Sequence, residues 1–142
     1  MTSTEPVAKP VRRPRVSLWS LRVVVVANSV AVLAQPVLAG GYLSGNFNYL
    51  RVHESVAHAV ISVMFVQGII AIAYWFPGGG SVFPLLASIV QWFSIAMQLG
   101  MGYSRQLAVH IPLGVFIALL SCFLVWWVCR PAAARGRREA RR

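Results

Sequence analysis

Charge is what this sequence has least of. Only 11% of its 142 residues are charged, three of them are acidic, and lysine occurs once against twelve arginines. A soluble domain carries about a quarter of its residues charged to solvate its surface, so the composition excludes one. Cysteine is nearly as scarce. Cys122 and Cys129 stand seven positions apart, which on one helix separates them by roughly 10 Å, too far for a disulfide within the chain. Both are expected to be reduced, buried small residues. No nucleophile beside a base, no glycine-rich phosphate loop and no acid–base pair is visible. The expectation is therefore not an enzyme but, at most, an electron carrier.

What the chain has in excess is apolar sequence, with 58% of residues hydrophobic. Four runs, near 23–39, 52–76, 82–101 and 108–129, reach the roughly 20 residues that a helix needs to cross a bilayer core. Arg or Trp stands near several of their ends (Trp19, Arg22, Arg51, Trp75, Arg105, Trp126, Trp127, Arg130), as interfacial anchors do. Pro77 and three glycines between 76 and 81 mark a turn. The expected fold is all-α: a polytopic four-helix antiparallel bundle over 18–130, flanked by disordered basic tails at 1–17 and 131–142. The first run, with basic residues before it and Val37-Leu38-Ala39 ahead of Gly40, has some look of a cleaved signal. It is kept as a span because its polar residues match those of the other runs.

The net charge of +10 is confined to the chain ends. Lys9, Arg12, Arg13, Arg15 and Arg22 precede the first run, six arginines from Arg130 onward follow the last, and only Arg51 and Arg105 lie between. Nucleic-acid binding needs a basic face on a folded module, and here the folded part is apolar. The tails are instead expected to meet anionic lipid headgroups and to orient the protein. An even number of spans with basic ends places both termini in the cytoplasm, and the arginine bias points to a bacterial plasma membrane.

The core carries the outline of a repeat. Leu50-Arg51-Val52-His53 opens the second span and Leu107-Ala108-Val109-His110 opens the fourth. Upstream come Gln35 with Gly41-Tyr42, and Gln98 with Gly102-Tyr103. Four positions after each histidine stands a small residue, Ala57 or Gly114. Two related helical hairpins would read this way. Polar residues recur at helical spacing as well: Asn28 and Gln35, then Gln91, Ser94 and Gln98, and Ser121 eleven after His110. One polar stripe per helix implies stripes turned inward, where hydrogen bonds across helices fix the packing.

Because the second and fourth spans run in the same direction, His53 and His110 are expected at one depth near the outer leaflet. Ionisable side chains inside a membrane are costly and usually functional. A neutral imidazole can offer one nitrogen to a metal while the other is held by a hydrogen bond. Two at one height across a bundle suit haem iron. Ala57 and Gly114 would then leave room for the ring, and Arg51 and Arg105 would meet its propionates or simply snorkel to the interface. His58, five residues after His53, points about 140° away from it. It is expected to contact Glu54, four residues before it, and is otherwise an alternative ligand partner for His110.

These segments, Leu50 to Ala57 and Leu107 to Val115 with Gln35 and Gln98 before them, resemble small actinobacterial four-helix membrane proteins. They also resemble one half of haem A synthase, in which a four-helix bundle holds a b-type haem between histidines of its second and fourth helices. The resemblance implies haem b with His53 and His110 as ligands. It does not extend to the synthase reaction. The synthase has two such bundles, its glutamate precedes the ligand histidine whereas Glu54 follows His53, and its arginine directly after that histidine is missing here. The leading expectation is a bis-histidine membrane cytochrome with a membrane redox partner. The alternatives are a scaffold or regulatory subunit of a larger membrane complex, and an ion or small-molecule pathway lined by the glutamines and histidines.

Overall fold

The computed structural model describes residues 16–135. The predicted tails at 1–15 and 136–142 lie outside the described residues. Four helices run in order: α1 Val16–Leu43, α2 Asn48–Trp75, α3 Phe83–Tyr103 and α4 Leu107–Cys129, followed by a 3₁₀ turn at Pro131–Ala134. All four are long and apolar enough to cross a membrane. At 1.5 Å per residue even the 21-residue α3 reaches about 32 Å, the thickness of a hydrocarbon core.

The helices pack up-down-up-down as a closed square, α1 on α2, α2 on α3, α3 on α4 and α4 back on α1. Consequently α2 and α4 face each other across a diagonal. One end of the bundle carries the start of α1, the end of α4 and the α2–α3 turn (the terminal end). The other carries the α1–α2 and α3–α4 turns (the loop end).

The distribution of side chains is that of a membrane protein. Val23, Val30, Phe65, Ile69, Phe93 and Leu119 are exposed, while Asn28, Ser29, Gln67, Ser88, Gln91 and Ser121 are buried. In water this arrangement would be costly. In lipid it is the expected one, since apolar tails solvate the outside and polar groups find partners only within. Asn28 Nδ2 donates to Met64 Sδ, Gln67 Nε2 to Ser88 Oγ at 3.0 Å and Gln91 Nε2 to Ser121 Oγ at 2.5 Å. Ser94, by contrast, bonds back to the Val90 carbonyl of its own helix.

Both ends of α1 exceed the predicted span. Arg22 does not stop the helix, because its guanidinium has a partner inside the bundle: Nε donates to the Val128 carbonyl at 2.8 Å, and the group stacks 4.9 Å from the Trp19 ring. The helix therefore begins at Val16, inside the stretch expected to be tail. The tail beginning at 131 is corrected too. Ala133 is 2% exposed, and the buried Tyr74 hydroxyl donates to its carbonyl at 2.7 Å. Pro131–Ala134 thus closes the terminal end rather than leaving it. Gly80 of the α2–α3 turn lies so close to the Tyr74 ring that a Cβ there would overlap it.

The repeat reappears in three dimensions. Gln98 follows Gln35 by 63 positions, and His110 follows His53 by 57. Shifted by the first number, buried Leu21, Val25, Asn28 and Val32 of α1 become Pro84, Ser88, Gln91 and Ile95 of α3, also buried. Shifted by the second, Val60, Met64, Gln67 and Ala71 of α2 become Ile117, Ser121, Leu124 and Val128 of α4, again all buried. Any two amphipathic helices can be aligned on some register. Here the register is set independently, by the glutamines and histidines, and the same shifts bring buried positions onto buried positions.

Candidate functional site

Fully buried residues run along most of the bundle and stop short of one end. Near the terminal end a cluster including Leu18, Leu21, Ala71, Tyr74, Leu124 and Val128 closes the interior. Further along, Val32, Val60, Ile95 and Ile117, one from each helix, form a layer together with Met64. Beyond that layer, toward the loop end, no residue of any helix is fully buried. The two histidines lie there, each seven positions from its helix's member of the layer: His53 from Val60 and His110 from Ile117. Both are partly buried.

Their rings meet across the α2–α4 diagonal, with centroids 6.3 Å apart and planes inclined at 54°. Each is held the same way. His53 Nδ1 lies 3.1 Å from the Gln35 carbonyl oxygen, and His110 Nδ1 lies 3.0 Å from the Gln98 carbonyl oxygen. A carbonyl only accepts, so the bond to Gln98 puts the His110 proton on Nδ1 and leaves its Nε2 as the acceptor. His53 Nδ1 stands between the Gln35 backbone carbonyl and the Gln35 side-chain amide nitrogen, so either tautomer finds a partner there. Gly102 makes room for one ring: a Cβ there would stand 3.1 Å from His110 Cε1.

The glutamine side chains take the space expected for a ring at Ala57 and Gly114. A Cβ on Gly114 would come within 2.9 Å of Gln98 Nε2. The Gln35 amide lies 3.2 Å from Ala57 N and 2.8 Å from His53 Nδ1. The small residues admit the neighbouring helix's glutamine, so the space predicted there for a ring is taken by side chains of the protein. Gln98 Oε1 is buried there and, among the described residues, has no hydrogen-bond partner.

Of the two histidine pairs open from the sequence, the fold brings together His53 and His110. His58 turns toward α3, where its Nε2 is 3.0 Å from the Tyr103 hydroxyl. Tyr103 O–H donates to Glu54 Oε1 at 2.5 Å. The expected Glu54–His58 contact is therefore bridged by a phenol from the next helix. Tyr103 was visible only as half of a repeated Gly-Tyr step, and pairing it with Glu54 requires the α2–α3 packing. Arg51 and Arg105 both stand exposed at the loop end. Arg105 occupies the turn with a positive φ of 56°, a conformation that a non-glycine residue holds at some cost.

No family model, curated protein or solved structure matches the chain. The site therefore has to be read from its own chemistry. Among the described residues no group of three or more His, Cys, Asp or Glu side chains is placed to hold a metal ion. A bare zinc or iron ion between these two imidazoles would want further protein ligands. Two imidazoles alone suit a metal that brings its own equatorial ligands.

Proposed function

We propose that this protein is a one-haem membrane cytochrome with His53 and His110 as the axial ligands of a b-type haem. The observation that carries the reading is the ring pair. Two metal–nitrogen bonds of about 2 Å, with about 1 Å from each nitrogen to its ring centre, separate ligating imidazoles by about 6 Å. The two rings here stand at 6.3 Å. Each Nδ1 lies within hydrogen-bond distance of a backbone carbonyl, and with the proton on Nδ1 that contact would fix a ligand's orientation and raise its basicity. Arg51 and Arg105 are exposed at the same end, where the carboxylates of a flat macrocycle would find cations.

Bound there, haem would supply one-electron redox chemistry. The protein's own residues orient it and limit its access to water. With both axial positions filled by the chain, electron transfer is favoured over binding a small molecule at the metal. The protein would relay electrons between a membrane donor and a partner in or beside the bilayer. The terminal end, with its basic residues, lies in the cytoplasm against anionic lipid, and the histidines lie toward the outer face of a bacterial plasma membrane.

The test is a visible spectrum of the purified full chain from haem-replete cells, oxidised and then reduced with dithionite. A sharp Soret band with split reduced bands, lost in both His53→Ala and His110→Ala, is expected. A colourless protein would overturn the reading and leave the histidines as packing residues of a scaffold.

A further inference from the structure

The α2–α3 face carries two features that the histidine pair does not use, one above the other. At the loop end is the Glu54–Tyr103–His58 chain, exposed on the outside of the bundle. Glu54 is the only acidic residue among those described. Six residues into α2, it lies about 9 Å from the helix start, the depth of a headgroup boundary. Tyr103 gives its proton to Glu54 and receives one from His58 Nε2. That leaves the second carboxylate oxygen and His58 Nδ1 as acceptors for a ligand.

Below it, between the same helices, lies an apolar groove of about 400 Å³ whose lining includes Phe65, Gly68, Ile69, Ile89 and Trp92. At about 100° per residue, Phe65 and Ile69 fall within 60° of Glu54 on α2, and Trp92 and Ile89 within 40° of Tyr103 on α3. Polar chain and groove thus share one face, with about 16 Å of helix between Glu54 and Phe65 and between Trp92 and Tyr103. Gly68 deepens the groove, since a Cβ there would meet nothing within 4 Å.

We infer that this face binds a prenylated hydroquinone, its hydroxyl donating to the Glu54–Tyr103–His58 chain and its isoprenoid tail lying in the groove. A phosphate headgroup would bring negative charge against Glu54. A phenolic hydroxyl brings the donor that the two open acceptors want, and the apolar groove lined by Phe65, Ile69, Ile89 and Trp92 suits a branched hydrocarbon tail. The site needs no haem. On the cytochrome reading its ligand would be the electron donor, because Glu54 directly follows His53 in the chain.

The experiment uses the full chain in lipid nanodiscs and a photoactivatable azido prenylquinone, displaced by unlabelled hydroquinone or quinone bearing a tail of about four isoprene units. Such a tail is long enough to pass Gly68, about 21 Å along α2 from Glu54. Saturable labelling between α2 and α3 is expected. Gly68→Leu, which fills open space and should leave helical content unchanged, should lower affinity for both forms by about tenfold or more. Glu54→Gln should weaken the hydroquinone about tenfold, the worth of one hydrogen bond to a charged group, and the quinone much less. His53→Ala should leave labelling intact, so that failure of the haem reading would not be mistaken for failure of this one. Labelling spread over all four outer faces, equal displacement by phospholipid, or indifference to Gly68→Leu would overturn the inference.

Discussion

Gly102 and Ser121 show how single positions carry different kinds of weight in this bundle. Gly102 lies against the edge of the His110 ring, with 3.1 Å left for a Cβ. Gly102→Val would push that imidazole off its Gln98 carbonyl and away from His53. The expected result is a folded protein whose Soret absorbance falls by more than half, measured against protein concentration. Gly102→Ala should lose much less. Ser121 is a packing residue: its hydroxyl receives the Gln91 amide and is fully buried. Ser121→Ala would leave that amide without its acceptor, at a cost of about 1 kcal/mol in a membrane bundle. Unfolding in a detergent titration should shift accordingly, with the haem spectrum unchanged. The Gln91→Leu, Ser121→Ala double variant should recover most of the loss, because no buried donor then goes unmet.

Among the elements, the ends of the helices depart most from what periodicity predicts. Apolar runs locate the middle of a span well, and they stop being informative where the chain reaches the interface. Arg22 looks like a stop in the sequence and is not one, since α4 supplies the Val128 carbonyl for it. Pro131 looks like the start of a tail, yet Tyr74 of α2 captures the turn behind it. Partners more than fifty residues away made those decisions. Gly80→Ala, which drives a methyl into the Tyr74 ring, should therefore loosen the terminal end by about 1–3 kcal/mol. Protease would then cut near 131–135 faster than in the parent, whereas the loop end and the histidine spectrum should be unaffected.

For the molecule as a whole, direction in the membrane is the property that most needs measurement. In sequence the basic residues flank the start of α1 and the end of α4, and Arg51 and Arg105 alone lie between. By the positive-inside rule the α1–α2 turn should be outside and the α2–α3 turn inside. In a chain with Cys122 and Cys129 replaced by alanine, Ser44→Cys should react with an impermeant maleimide on intact cells. Ser81→Cys should react only after lysis. The reverse pattern would invert the protein and place the histidine pair on the cytoplasmic side.

The four-helix membrane fold was legible without coordinates because it depends on composition and period alone. A chain with so little charge and four long apolar runs has few ways to satisfy its backbone other than helices in lipid. The match of Gln35 with Gln98, and of His53 with His110, was likewise readable as spacing. Sequence left open which of His53 and His58 meets His110, because both sit on α2 and the choice depends on how that helix is rotated. The square packing turned His53 across the diagonal to 6.3 Å from His110 and turned His58 outward to Tyr103. The same rotation gave the space beside Ala57 and Gly114 to glutamines. Local periodicity names the residues on a face, whereas which face looks at which neighbour is a property of four helices packed at once, and only the tertiary structure decided it.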